Sequence, residues 1–286
     1  MSGDEGDGVR PQPPRVVGAD DPYRNTGRGF VFSERDLTNK FIGYFRLLEA
    51  CGMQGCPICR CLTQDGRRHL EALLYEQVND PDTRRRLRAA WGLCNWHTWM
   101  LLTATTGVTG SAILYGDLIR TAARHLDRSR RRRPAALVRF LGWLRRLAGH
   151  DPAPARLRVI ARYRARSRCP VCASTREAEA RYIDAAIDFS DDPQFVRAYA
   201  RSSGLCVPHV VQAIERRADT SGSEGLVDQT IGKWTDLARH LDDFVRKHEY
   251  RNTEPISETE AGACAAAFEV VAGGHGVFGN DLHRAG

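Results

Sequence analysis

Apolar residues along this chain recur at helical spacing, with charged residues between them. Leu70, Leu73, Leu74 and Val78 share one stripe of residues 67–79, the pattern of a helix with one buried face. The same period predicts helices over 33–50, through Phe41, Ile42, Phe45 and Leu48, and over 82–91, 95–104 and 111–127. In the last of these Ile113, Leu114, Leu118, Ile119 and Ala122 line up. Further along, 176–189, 194–201, 209–217 and 226–245 read the same way. Asp80-Pro81 breaks the chain, 105–110 reads as a turn, and Gly92 stands where a left-handed helix cap belongs. No stretch alternates with period two and β-branched residues do not cluster, so the predicted fold class is all-α.

The order of these helices repeats. Cys56-Pro57-Ile58-Cys59, Asp80-Pro81 and Gly92-Leu93-Cys94-Asn95-Trp96-His97 come back as Cys169-Pro170-Val171-Cys172, Asp192-Pro193 and Gly204-Leu205-Cys206-Val207-Pro208-His209. The first landmark is offset by 113 residues and the other two by 112. Ala123-Arg124-His125-Leu126-Asp127 matches Ala238-Arg239-His240-Leu241-Asp242 at an offset of 115. Such recurrence marks a duplication and predicts two small helical bundles of one architecture. The boundaries expected are a disordered tail over 1–32, a first unit over 33–127, an Arg-rich helical connector over 128–168 and a second unit over 169–250. A flexible tail over 251–286 follows, with a short helix near 261–271.

Each unit carries three cysteines and a histidine in the pattern Cys-x-x-Cys then Cys-x-x-His. Zinc in structural sites takes four such ligands in a tetrahedron. The candidate ligands are Cys56, Cys59, Cys94 and His97 in the first unit, and Cys169, Cys172, Cys206 and His209 in the second. The first pair of each set would sit in a tight knuckle and the second pair at a helix start. Each unit is expected to be organised around one such Cys3His site, with two Zn2+ per chain. The sequence leaves open whether a set closes within one unit or draws on both. Each loaded site would carry about one negative charge, which Arg60 and Arg168 could offset. An iron–sulfur cluster is the alternative, with Cys51 and Cys61 as further thiolates in the first unit. The second unit has no counterpart to either, which favours the four-ligand site.

Composition narrows the picture. Of nine cysteines, six fall in short-spaced groups (Cys51, Cys56, Cys59 and Cys61, then Cys169 and Cys172), as metal ligands do in a reducing compartment. The acidic start and the absence of a long apolar run argue for a cytoplasmic protein without a membrane span. The net charge is +7, but residues 124–168 alone hold fifteen arginines against Asp127 and Asp151, so the remainder is near −6. Arg130, Arg131, Arg132, Arg133, Arg139, Arg145 and Arg146 are candidates to contact an anionic partner: nucleic acid, an acidic protein or a membrane surface. The plainer reading is a helix packed between the bundles, through Leu137, Phe140, Leu141, Leu144 and Leu147, with its arginines in water. His125 and His240 read as late-helix residues more than as catalytic ones, and Trp91, Trp96 and Trp99 as packing around the first site. Cys264 reads as a free thiol.

The run from Cys56 to Tyr115 resembles a family of uncharacterised prokaryotic proteins with paired Cys-Pro-x-Cys and Cys-x-x-His motifs, and the resemblance covers most of residues 40–245. It implies a helical metal-binding protein and carries no activity. No phosphate loop, nucleophile elbow or metal site with a vacancy is legible, so a non-catalytic interaction or regulatory protein is expected. A redox or metal-responsive protein is the alternative, and an enzyme with a pocket between the units comes third.

Overall fold

A computed structural model of the chain describes residues 42–104, 107–131, 163, 166–216 and 221–278. These residues form ten helices and no strand, the all-α class that the periodicity predicts. The first half holds α1 (Ile42–Cys51), α2 (Pro57–Tyr75), α3 (Pro81–Ala90), α4 (Asn95–Ala104) and α5 (Val108–Arg131). The second holds α6 (Pro170–Asp188), α7 (Pro193–Arg201), α8 (Val207–Arg216) and α9 (Ser221–Lys247), and α10 (Glu258–Ala272) follows. No helix among the described residues is long and apolar enough to cross a membrane.

The repeat is plain in the helix starts. Helices α2 and α6 are both 19 residues long and begin one residue after Cys56 and Cys169, with Pro57 and Pro170 in the first turn. Proline suits that position because its fixed φ is helical and its missing N–H would be unpaired there anyway. The Cys-Pro-x-Cys segments are therefore not free-standing knuckles, as the spacing suggested, but N-caps and first turns. Both helices accordingly start several residues earlier than the apolar stripe alone indicates. Asp80 and Asp192 cap α3 and α7, accepting from the Thr83 amide and from the Gln194 and Phe195 amides. At the end of α3 the left-handed residue is Trp91 (φ 59°), followed by Gly92 (φ 100°). The cap thus falls one residue earlier than expected.

The halves are interleaved. Helix α2 packs along α6, and α1 packs against α2, α6 and α7. One core joins Tyr44, Leu47, Leu48 and Ile58 of the first half to Ile183, Ile187, Phe195 and Tyr199 of the second. The other gathers Leu70, Leu73, Leu74, Leu87, Met100 and Leu114 around Cys169 and Val171. Tyr44 on α1 donates to the carboxylate of Asp192, 2.6 Å away, tying the first helix to a cap of the second half.

Beyond residue 251, where a flexible tail with a short helix was expected, α10 is closed by a capping box between Ser257 and Glu260. Lys247 at the end of α9 binds both carboxylate oxygens of Glu260, at 2.8 and 2.9 Å. Arg60 on α2 gives Nη2 to both oxygens of Glu269, at 2.9 and 2.7 Å. These contacts hold α10 in place and return residues 273–278 to α2.

Candidate metal centre

Four helix starts carry the eight candidate ligands, and they meet in pairs. Cys56 and Cys59 open α2, Cys169 and Cys172 open α6, and Cys94 and Cys206 stand immediately before α4 and α8. His97 and His209 follow in the first turns of α4 and α8. Site I joins Cys56 and Cys59 to Cys206 and His209, and site II joins Cys94 and His97 to Cys169 and Cys172. Each group thus takes its Cys-x-x-Cys from one half and its Cys-x-x-His from the other. The expected pair of Cys3His sets is present, with its members exchanged between the units.

Within each group the ligand atoms all lie within 4.8 Å of one another. In site I the Nδ1 of His209 is 3.3 Å from the Cys56 sulfur, 3.5 Å from Cys59 and 3.2 Å from Cys206, and the Cys59 and Cys206 sulfurs are 3.7 Å apart. In site II the Nδ1 of His97 is 3.2 Å from Cys94, 3.3 Å from Cys172 and 3.7 Å from Cys169, and Cys94 and Cys172 are 3.6 Å apart. Ligands set tetrahedrally about one ion, at bond lengths of about 2.3 Å for sulfur and 2.0 Å for nitrogen, stand about 3.8 Å apart S to S and 3.6 Å S to N. The observed edges match those values, and the sulfurs are too far apart for disulfides. Both groups could therefore each hold a metal ion. Helix N-termini suit the negative charge of a tris-thiolate site, since the positive ends of the dipoles point at it.

Without an ion, each group shares its protons unevenly. Burial pushes the Cys56 thiol up, but Cys206, Cys59 and His209 outweigh it and hold Cys56 well below the ordinary thiol range. Hydrogen bonding to Cys206 and Cys56, together with burial, drives Cys59 well above it. Cys206 is raised as well, chiefly by Cys56. Burial works against charging His209, yet the Cys56 thiolate raises it well above its usual value. In site II, hydrogen bonding with Cys172 and Cys94 lowers Cys169, and hydrogen bonds with Cys169 and Cys94 lift His97 to about 9 against the effect of burial. Each metal-free site thus centres on a thiolate beside an imidazolium.

The surroundings of the two sites differ. In site I all four residues are buried, with His209 at 0% exposure. The Nε2 of His209 lies 3.2 Å from Glu179 on α6, whose carboxylate also accepts from Gln212. The Gly274 amide donates to the Cys59 sulfur at 3.1 Å, and the Phe278 ring covers the His209 ring at 5.0 Å. Sequence reasoning missed these three. Glu179 had a signal, since it lies seven residues after Cys172 on the same helical face. In site II, Cys94 and Cys172 are partly exposed. Gly66, the counterpart of Glu179 in the first half, leaves His97 facing bare α2 backbone, where a Cβ would stand 3.4 Å from its Nε2.

The remaining candidates disperse. Cys51 and Cys61 are buried but belong to neither group. Burial pushes Cys51 up to about 12 and Cys61 well above the thiol range, so both are held protonated. Arg60 is engaged by Glu269. Trp96 packs beside site II with its ring against His275, while Trp99 is 60% exposed and does not line a site, contrary to expectation. His97, Met100 and Leu101 define the inward face of α4, and Trp99, two positions past His97, falls on the far side. His125 packs near Trp91. A pocket lined by Ser190, Asp191, Phe195, Tyr199 and Leu226 contains neither His125 nor His240. Cys264 is exposed. Arg132, Arg133, Arg139, Arg145 and Arg146 lie outside the described residues, as do the side chains of Arg130 and Arg131 at the end of α5.

No solved structure matches the chain. Among curated proteins it is similar to the "Uncharacterized 23.9 kDa protein in xynA 3'region" of Caldicellulosiruptor sp. (strain Rt8B.4), 26% identical over 220 residues, which span 76% of this chain and 95% of that protein. The model of a family of unknown function, DUF6062, matches residues 47–275, a stretch running from α1 past α10 that takes in all eight ligand candidates, and the chain belongs to that family.

Proposed function

We propose that this chain is a non-catalytic, zinc-stabilised interaction or regulatory protein working in the cytoplasm, with Cys56, Cys59, Cys206 and His209 on one Zn2+ and Cys94, His97, Cys169 and Cys172 on the other. The observation that carries the reading is the edge lengths of the two groups, which fit one tetrahedral ion each and leave no position for a substrate. A cluster of two or more irons spreads its ligands over several metal atoms, and ligand atoms all within 4.8 Å of one another fit that poorly. The buried, protonated states of Cys51 and Cys61 also weigh against their joining a cluster.

In this reading the ions hold the two halves together, and the Arg-rich segment 128–168 offers the anionic partner its contact. A basic segment that neutralises phosphates or carboxylates releases counterions, so binding through it weakens steeply with salt.

Elemental analysis and an absorption spectrum of anaerobically purified protein test the metal. Two zinc per chain and no visible colour is the expected result. Iron with thiolate-to-iron absorption would replace it with the redox reading. Replacing Arg130, Arg131, Arg132 and Arg133 by glutamine tests the partner surface, with weaker binding to duplex DNA and a shallower salt dependence expected. Unchanged binding removes nucleic acid as the partner.

A further inference from the structure

The two metal groups share a ligand set and a fold origin, but their surroundings diverge at three places. Helices α2 and α6 run in constant register through the repeat, so position 66 in one corresponds to position 179 in the other. Glu179 holds the Nε2 of His209. At Gly66 there is no side chain to do the same for His97, and no hydrogen bond to the Nε2 of His97 occurs among the described residues. A carboxylate on the far nitrogen fixes a ligating imidazole and makes it a stronger donor. The second difference is the Gly274 amide on the Cys59 sulfur and the Phe278 ring on His209. Both come from the segment after α10. The third is access. All four ligands of site I are buried, whereas the sulfurs of Cys94 and Cys172 belong to partly exposed residues.

Metal leaves a thiolate site through attack by a competing ligand on the ion or through protonation of a sulfur, and both need contact with solvent. These three differences point the same way. We propose that site II (Cys94, His97, Cys169, Cys172) is the exchangeable metal site of this chain, and that site I (Cys56, Cys59, Cys206, His209) is the permanent one. The inference rests on the zinc reading above and assigns the two ions different roles. Site I keeps α2 and α8 joined. Site II joins α4 to α6 only while a soft or borderline divalent cation such as Zn2+ is available outside, so the link between those helices follows metal supply.

The test uses the intact, zinc-loaded chain. Zinc content is measured first, the protein is then challenged with excess EDTA, and iodoacetamide is added at intervals, with alkylated cysteines located by mass spectrometry. The expected result is two zinc at the start and release in two phases differing about 10- to 100-fold in rate, the range that outer-contact residues typically govern. Cys94, Cys169 and Cys172 should be alkylated during the fast phase, and Cys56, Cys59 and Cys206 during the slow one. Release in a single phase, or earlier alkylation of the Cys56 group, would overturn the assignment and leave the zinc reading standing. A chain that starts with no zinc overturns both.

Discussion

The sulfur of Cys59, in the first half of the chain, lies 3.7 Å from the sulfur of Cys206, in the second, across 147 residues of sequence. That pairing fixes the wiring of both sites, because each Cys-x-x-Cys has only one Cys-x-x-His within reach.

The wiring is testable with paired substitutions. Cys56→Ser with Cys206→Ser damages site I twice, and one zinc per chain should remain. Cys56→Ser with Cys94→Ser damages both sites, so tight zinc should fall to none. Ligand sets closed within each unit would give the opposite pair of numbers, and elemental analysis after gel filtration distinguishes them.

Glu179 meets His209 at its Nε2 and is not itself among the eight candidate ligands. Glu179→Gln should weaken zinc at site I about tenfold or more and leave site II unchanged. Competition titration with a chromogenic chelator reads the two affinities separately. Equal weakening at both sites would mean that the substitution disturbs α6 as a whole.

Zinc uptake at site I should release protons. Before binding, the Cys59 and Cys206 thiols are raised above their usual range and His209 is held as imidazolium, while Cys56 is already a thiolate. The ion takes three thiolates and a neutral imidazole, so about three protons should leave at neutral pH. Because metal binds the deprotonated form, affinity should fall as pH falls, and rise with pH until those groups have lost their protons. Calorimetry in buffers of different ionisation enthalpy counts the protons, and a count near zero would contradict this arrangement.

The clasp between Arg60 and Glu269 secures the segment that covers site I. Its Arg60 side chain is 9% exposed and its Glu269 side chain 30%. Glu269→Ala should therefore cost about 2 kcal/mol, between the values typical of exposed and buried pairs. The Gly274 amide should lose protection in hydrogen exchange, and Cys59 should alkylate faster. Unaltered exchange at Gly274 would show that the Arg60–Glu269 clasp does not secure the segment over site I.

Much of this was legible in the sequence. The spacing of Leu70, Leu73 and Leu74 gave the helical class, and the two Cys-Pro-x-Cys and Cys-x-x-His segments marked the eight residues that meet. Their partnering was not legible. Both closures use the same ligand types, and only the packing of α2 along α6 decides between them. Gly274 was out of reach for a related reason, since it contributes a backbone amide and any residue type supplies one. Trp99 misled because aromatic content signals burial only when helical phase is counted, and its phase points outward.

The crossed wiring bears on assembly. A single repeat built this way would carry two half-sets of ligands and would complete an ion only by pairing with a second copy, an encounter that dilution opposes. Joined in one chain, the same encounter becomes intramolecular, at an effective concentration that reaches the millimolar range for short flexible links. Both ligand sets are then completed within one chain. A fragment ending before Cys169 would keep four of the eight ligand residues and close neither site.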